Sequence, residues 1–314
     1  MDKQSKIVLP GAAGLVGQNL IVQLKKRGYN NIVAIDKHKA NLQILQQLHP
    51  EIQAIHADLA VPDPQWESAF ENADVAVMLQ AQIGAPTIEP FIRNNITATE
   101  NVLRAIKKHN VNYLVHISSS VVNSVADDFY TNTKKQQEAL VLQAGIKHCV
   151  LRPTLMFGWF DRKHLGWLSR FMEKVPFFPI PGHGRYMRQP LYEKDFCNII
   201  ISAIEKQPAN KAFNITGREE IDYIDIIRTI KKVKGIKTPI VKIPYSLFYA
   251  LMKGYAVFSK NPPFTTQQLE ALVADDKFEL IPWWEIFSVE PTPFEKAMHE
   301  TFNDPTYGHV VLEF

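Results

Sequence analysis

Tyr130 and Lys134 stand four residues apart in the stretch Tyr130-Thr131-Asn132-Thr133-Lys134. On a helix that spacing places both side chains on one face. An ammonium beside a phenol favours the phenolate and lowers its pKa, and a tyrosine so tuned can pass a proton to or from a hydroxyl or carbonyl oxygen. Upstream, the apolar run Tyr113 to Ile117 ends in Ser118-Ser119-Ser120, where a serine hydroxyl could hold the same oxygen. A serine run after a strand is often turn chemistry alone, and an isolated tyrosine–lysine pair is usually a surface pair. Their succession in one chain predicts an acid/base site.

A second group of residues has the types and spacing for binding a nucleotide. Lys6 to Gly17 reads as a short apolar strand, a turn through Gly11, Gly14 and Gly17, and the start of an apolar-periodic helix. Glycines permit the turn and let backbone N–H groups approach a pyrophosphate at the positive end of the helix. The spacing is Gly-x-x-Gly-x-x-Gly, not the Gly-x-Gly-x-x-Gly of ordinary dinucleotide domains. Nineteen residues after Gly17, a second apolar run ends at Asp36, where a carboxylate would meet an adenosine ribose. A third run, Ile52 to Ile55, leads into His56-Ala57-Asp58-Leu59, a turn placed to meet an adenine edge.

These residues must be held by a regular frame. Apolar runs predict strands near 6–9, 31–36, 51–56, 74–79, 111–117 and 146–151. Helical patterns fall near 15–27, 38–48, 88–108 and 130–144. The repeated strand–helix order with short polar links predicts an α/β protein with a doubly wound, Rossmann-type parallel sheet. Ligands then belong outside the carboxyl ends of the strands, where every motif above falls. Asn94 and Asn95 lie inside the fourth helical pattern, where asparagine is mildly unfavourable unless its side chain is bonded.

Past Arg152-Pro153 the alternation loosens, and prolines and aromatics rise. The chain divides into a nucleotide-binding domain over 1–155 and a smaller α/β substrate-binding region over 156–314. Short strands near 189–192 and 211–215 are expected to interleave with the first domain. Arg152, Arg162, Lys163, Arg185 and Arg188 cluster there in sequence, as either a solvated surface or a grip for an anionic substrate. Pro244 to Phe258 is an aromatic-rich helical pattern, read as core packing. Trp283-Trp284 and the segment to Phe314 read as a tail wrapped on the body or as an interface.

With 314 residues, 46% apolar and 21% charged, the chain can bury a full core like an ordinary soluble protein. A net charge of +3, without a basic block interleaved with aromatics, argues against nucleic acid. No run reaches the roughly 18 apolar residues of a membrane span. No signal-peptide pattern precedes the first strand, and the two cysteines, Cys149 and Cys197, sit in apolar runs as small hydrophobes. Both features suit a reducing cytoplasm. The ten histidines are scattered without metal-ligand spacing. A small-molecule substrate is the expected partner, and the chain leaves a homodimer open.

The motifs together resemble the extended short-chain dehydrogenase/reductases, the NAD-dependent epimerase/dehydratase group. The likeness spans roughly residues 5 to 215. It rests on Gly11-x-x-Gly14-x-x-Gly17, Asp36, Asp58-Leu59, Asn95, Ser119, Tyr130-x-x-x-Lys134, Arg152-Pro153 and the segment Arg188 to Asp195. The resemblance implies NAD as cofactor. Gly11, Gly14 and Gly17, with Leu15 and Val16 between them, would cradle the pyrophosphate, and Asp36 would bind the ribose hydroxyls. Asp58, Leu59, Gln80, Ala81 and Asn95 would complete the cofactor set. Tyr130 is similar to the family's acid/base, Lys134 to its partner on the nicotinamide ribose, and Ser119 to the serine that positions the substrate oxygen. Ser119 rather than Ser118 or Ser120 follows from counting back from Asn123-Ser124, where the family usually has Tyr-Gly.

The chain departs from the pattern at Pro10, at Gln80-Ala81, at Ala98 and in the short interval from Ser119 to Tyr130. Arg188, seven residues before Asp195, matches the position that grips the diphosphate in nucleotide-sugar members, with Arg152 a further substrate contact. Leu155 stands where those members usually carry asparagine, and Arg152-Pro153 also resembles hydroxysteroid-type reductases. The implied activity is hydride movement at a secondary alcohol or ketone of a nucleotide sugar or related polar substrate. The alternatives are reduction of a small apolar ketone and a non-catalytic NAD-binding scaffold or sensor.

Overall fold

Parallel strands buried on both faces need unbroken apolar sequence, and the runs noted above supply it. The computed structural model describes residues 1–258, 269, 272, 273 and 278–313. Seven strands form one parallel sheet in the order β11-β6-β5-β4-β1-β2-β3. They are β1 (Ile7–Pro10), β2 (Ile32–Asp36), β3 (Gln53–His56), β4 (Val75–Met78), β5 (Tyr113–Ile117), β6 (His148–Pro153) and β11 (Lys211–Ile215). The strand order reverses between β1 and β4, which opens a crevice at their carboxyl ends. Alternate residues feed two cores. Ile7, Leu9, Val75 and Val77 face one side, with helices α1 (Leu15–Lys26) and α8 (Glu193–Lys206). Val8, Ala76 and Met78 face the other, with α5 (Ala98–Lys108). This is the doubly wound arrangement expected from the sequence.

The fourth helical pattern is not one uniform helix. A short α4 (Glu89–Phe91) passes through a π-helical turn, Ile92–Thr97, into α5. The wider turn lets the adjacent Asn94 and Asn95 both be buried, an arrangement often found at functional sites. Helix α6 (Phe129–Leu142) starts at Asp128, whose carboxylate caps it by accepting from the Thr131 N–H at 2.9 Å.

A third core lies beyond the sheet's carboxyl edge. It gathers Phe157, α7 (Leu165–Lys174), Phe178 and Ile180 of β8 (Phe178–Pro181), and Tyr223 to Val233 of α9 (Tyr223–Lys234). Helix Phe294–Asn303 completes it. Three two-stranded pairs frame it: β7 (Met156–Phe157) with β10 (Leu191–Tyr192), β9 (Met187–Arg188) with β12 (Ile221–Asp222), and β8 with β13 (Ile240–Ile243). The two regions are stitched at β10–α8. Leu191 and Phe196 belong to a sheet core, and Tyr192 between them belongs to the third core. Trp283 is buried and donates its indole N–H to the Thr216 carbonyl at 2.9 Å. The last residues return to the nucleotide side, where Asn41 bonds the Glu313 main chain at both ends. The tail thus wraps the body. Both cysteines are buried free thiols.

Helix α10 (Tyr245–Phe258) corrects the expectation of core packing: Leu247 and Leu251 are 52% and 57% exposed. Its hydrophobic residues lie nearly all round the helix, so burying one face leaves others in solvent.

Candidate active site

The turn after β1 is shaped by two glycines for steric reasons and by a third for another reason. Gly11 has φ +84°, and a Cβ there would lie 2.4 Å from the Gln80 nitrogen at the tip of β4. A Cβ on Gly17 would lie 2.3 Å from the Ala12 carbonyl oxygen. Gly14 is different. It adopts φ −78°, and a Cβ would meet only the Gly11 oxygen, at an ordinary 3.6 Å. The protein's own packing leaves that space open. Gly14 is also the N-cap of α1, where no side chain caps the helix and no acidic residue sits in the first turn. The amides of Leu15 and Val16 start this helix, so its positive end is available to an anion.

Beside this turn is a cavity of about 440 Å³. Of the residues expected to hold a cofactor, it brings together Gly11, Gly14, Asp36, Asp58, Leu59, Gln80 and Ala81. The Asp36 carboxylate accepts from the Ala13 N–H at 2.9 Å and the His38 N–H at 2.8 Å. It is thereby fixed at the end of β2, and burial raises its pKa against the pull of those amides. Asp58 is tied to Arg93 at 2.9 Å. Gln80 keeps both side-chain amide atoms out of solvent with no hydrogen-bond partner among the described residues. An open Gly14, an uncapped helix, an orphaned amide and a carboxylate lining the cavity at the end of β2 fit a dinucleotide.

Other expected residues sit elsewhere. Leu15, Val16 and Gly17 form the start of α1 rather than the cavity wall. Asn95 is fully buried and does not line the cavity. Its Oδ1 accepts from the Gln82 N–H at 2.6 Å, while its Nδ2 donates to the Gln82 carbonyl and to Thr133 Oγ1. It therefore clamps the loop after β4 against α6, and its neighbour Asn94 is the one that faces the cavity. Lys37, His38, Asn41, Gln82, Ile83, Arg162 and Lys163 also line it. The pair Asn94-Asn95 and the position of Lys37-His38 after Asp36 were available signals for some of these. Nothing in the sequence announces that Arg162 and Lys163 come back to the nucleotide cavity.

Tyr130 and Ser119 meet. Ser119 follows β5 and caps the short helix Ser120–Asn123, its hydroxyl accepting from the Val121 N–H at 3.4 Å, and it stands near enough to the half-buried Tyr130 phenol to lower its pKa. The α6 face below the phenol is bound to the nucleotide crevice through Thr133 to Asn95 and through Gln137 Nε2 to the Gln80 carbonyl at 3.2 Å. The phenol's pKa is nevertheless raised, not lowered as the spacing with Lys134 suggested. Burial raises it most, the Ser119 hydrogen bond draws it back, and the Asp128 charge adds to the rise. Lys134 is fully buried and donates instead to the Ile117 carbonyl at 3.1 Å and to Gln137 Oε1 at 2.5 Å. Burial brings its own pKa down to about 7, against the opposing pull of Glu138. Sharing a helix face does not by itself aim an ammonium at a phenol.

The basic residues grouped in sequence are separated in space. Arg152 forms a two-pronged ion pair with Glu138 of α6, which also accepts from Ser118 Oγ at 2.5 Å. This joins β5, β6 and α6 instead of offering a guanidinium to substrate. Arg188 is 7% exposed and donates to the Met187 carbonyl at 2.6 Å and to the Leu272 carbonyl. Those bonds hold its guanidinium against main chain inside the protein. Among the described residues there is no cluster of three metal-ligating side chains, and no helix is long and apolar enough to cross a membrane.

Comparison with known proteins places this geometry. Residues 7–216 match the NAD dependent epimerase/dehydratase family. A ketoreductase of Stigmatella aurantiaca, acting on 4-hydroxy-2-methyl-3-oxo-4-farnesyl-3,4-dihydroquinoline-1-oxide, is 26% identical over 75% of each chain. The UDP-glucuronic acid 4-epimerase of Bacillus cereus, solved with NAD, is 26% identical with a TM-score of 0.66. That alignment covers 76% of this chain and 87% of the epimerase. A UDP-N-acetylglucosamine 4-epimerase of Methanobrevibacter ruminantium shares the fold across 96% of this chain and 97% of its own, with a TM-score of 0.73 and 18% identity. A glycine turn open at Gly14, a carboxylate closing β2 and a match over most of the sheet lead to one conclusion: the chain belongs to the NAD dependent epimerase/dehydratase family, and is an NAD-dependent enzyme of that oxidoreductase/epimerase class.

Proposed function

We propose that this protein moves a hydride at a secondary alcohol or ketone carbon, with Tyr130 as the acid/base. The observation that carries the reading is the Ser119–Tyr130 hydroxyl pair at the carboxyl end of β5, on a helix face bonded to the nucleotide crevice. In this reading the α1 N-terminus with Gly11 and Gly14 receives the pyrophosphate, and Asp36 receives the adenosine ribose. Bound NAD supplies the hydride acceptor or donor. Ser119 holds the substrate oxygen while the Tyr130 phenol gives or takes its proton. Burial keeps the phenol protonated through neutral pH, which suits proton donation to a carbonyl being reduced. Lys134 supports the floor of the site through Ile117 and Gln137.

For the substrate, the side chains support an apolar ketone or alcohol. Both arginines that could grip a diphosphate are engaged within the protein. Beside Arg188 lies a cavity of about 390 Å³ walled by Trp167, Phe171, Phe178, Tyr223 and Leu272. The substrate named for the Stigmatella aurantiaca ketoreductase is likewise farnesylated. A nucleotide sugar is the second reading, favoured by the 26% identity with the Bacillus cereus epimerase. A thermal-shift panel of sterol, isoprenoid and UDP-sugar ligands with NAD or NADH separates the two. Stabilisation by the apolar ketones alone supports the first reading; stabilisation by UDP-sugars alone establishes the second. With any turned-over substrate, Tyr130→Phe is expected to lower kcat by about 10²-fold or more while NAD affinity stays within about twofold. Wild-type turnover in that variant would remove Tyr130 from the role.

A further inference from the structure

Helix α10 has 14 residues and one charged side chain among them, Lys253. Tyr245, Leu247 and Leu251 are exposed along it, and Val241 of β13 and Phe177 before β8 are exposed beside it, at 40% and 45%. The β8–β13 register places Pro179 opposite Val241, so these side chains belong to one end of the molecule. Phe177 and Leu251 also wall the carbon-lined cavity that holds Leu272. Single exposed leucines are ordinary, but Leu247 and Leu251, four residues apart on one helix face, with Val241 and Phe177 close by, form an apolar patch of the kind that marks a contact surface.

The charge around the face indicates what covers it. Residues 174–192 and 226–258, bordered by Glu173, Glu193 and Asp225, contain ten Lys and Arg and no Asp or Glu, in a chain whose net charge is only +3. Ordinary surfaces intersperse both signs. Arg228, Lys232 and Lys234 are paired with carboxylates outside these stretches, and Arg188 bonds main chain. Arg185, Lys237, Lys242 and Lys253 remain exposed around the apolar residues. A second copy meeting this face across a two-fold axis would set like charges against each other. An anionic bilayer would neutralise them, and apolar side chains flanked by tyrosines and lysines suit the headgroup boundary.

We propose that the α10 face is a peripheral docking surface for anionic phospholipid bilayers, with Leu247 and Val241 entering the headgroup–acyl boundary. The face shares the cavity wall at Phe177 and Leu251 with the apolar-substrate reading, but the vesicle test reads the face by itself, and the proposal does not rest on that reading. Co-sedimentation of the full chain with vesicles of phosphatidylglycerol in phosphatidylcholine, and with phosphatidylcholine alone, tests it. Binding should be at least about tenfold stronger to the anionic vesicles, and Lys242→Gln and Lys253→Gln should each weaken it about fivefold. The Val241→Asp/Leu247→Asp double variant should lose binding while keeping the wild-type thermal shift on adding NAD, which shows that it is folded. Absence of binding to anionic vesicles overturns the proposal, as does full binding by the folded double variant. Sedimentation velocity provides the other check: a wild-type dimer that the double variant dissociates would assign the face to a second copy and overturn lipid docking.

Discussion

At the scale of single residues, the balance at the proposed acid/base pair and its neighbour Lys134 is set by burial more than by charge pairing. Lys134 is out of water, with one carbonyl and one amide oxygen as partners, and its pKa falls to about 7 from 10.5. The unfolded chain therefore holds this proton up to about pH 10.5 while the folded chain releases it above about 7. Stability from this group is complete above the unfolded value and is lost as pH falls toward about 7, a span worth on the order of a few kcal/mol. In NAD-free protein, the slope of unfolding free energy against pH between about 7 and 10.5 should flatten in Lys134→Met. An unchanged slope would mean that the ammonium stays solvated. Tyr130 is displaced in the opposite sense, because burial disfavours the phenolate as it disfavours the ammonium.

At the scale of elements, the glycine turn separates packing from binding. Gly17 lets α1 approach the turn, and an added methyl would overlap the Ala12 carbonyl. Gly17→Ala should therefore lower stability by about 1–3 kcal/mol, with any loss of NAD binding secondary to that. At Gly14 the protein presents no clash. Gly14→Ala should change stability by no more than about 1 kcal/mol, yet weaken NAD binding about tenfold or more, since its methyl would enter the space the pyrophosphate needs. Chemical denaturation and NAD titration of the two variants check both halves. If Gly14→Ala bound NAD normally, the pyrophosphate would lie elsewhere. The same logic explains the π-turn before α5. Asn95 needs it to reach Gln82 from inside a helix, which no regular period of apolar residues could have indicated.

At the scale of the whole molecule, the sheet and the outer region meet at β10–α8, and a buried acid sits at that joint. Glu193 is fully buried, and neither carboxyl oxygen has a hydrogen-bond partner among the described residues. Its Cβ would come within 2.6 Å of a Cβ placed on Gly158, so the two chain segments are in tight contact. Burial, with Asp161 adding to it, pushes its pKa up to about 8 from 4.5. The folded protein keeps this proton while the unfolded chain loses it. Stability from the group is complete below about pH 4.5 and is lost as pH rises to about 8. Glu193→Gln should remove that fall, so that its melting temperature exceeds that of the wild type above about pH 7 and matches it near pH 4.5. Parallel melting curves across this range would contradict a protonated Glu193.

What the sequence determined by itself was whatever depends on local order. The alternation of apolar runs and helical periods dictated the parallel sheet, because strands buried on both faces must be apolar throughout. The glycine spacing and Asp36 marked the tight turn after β1 and the carboxylate ending β2, since both follow directly from where those strands end. Ser119 and Tyr130 could be singled out as candidates because each lies beside the end or the start of an element, β5 and α6. The tertiary structure decided where long side chains point. Lys134 turned to Ile117 and Gln137, Arg152 to Glu138 and Arg188 to main-chain carbonyls, because a buried cation takes the partners its surroundings offer. It also brought Arg162 and Lys163 back to the nucleotide cavity and left α10 exposed. Those outcomes depend on segments far apart in the chain, whose approach is set by how the hydrophobic cores pack and not by any residue's neighbours in sequence.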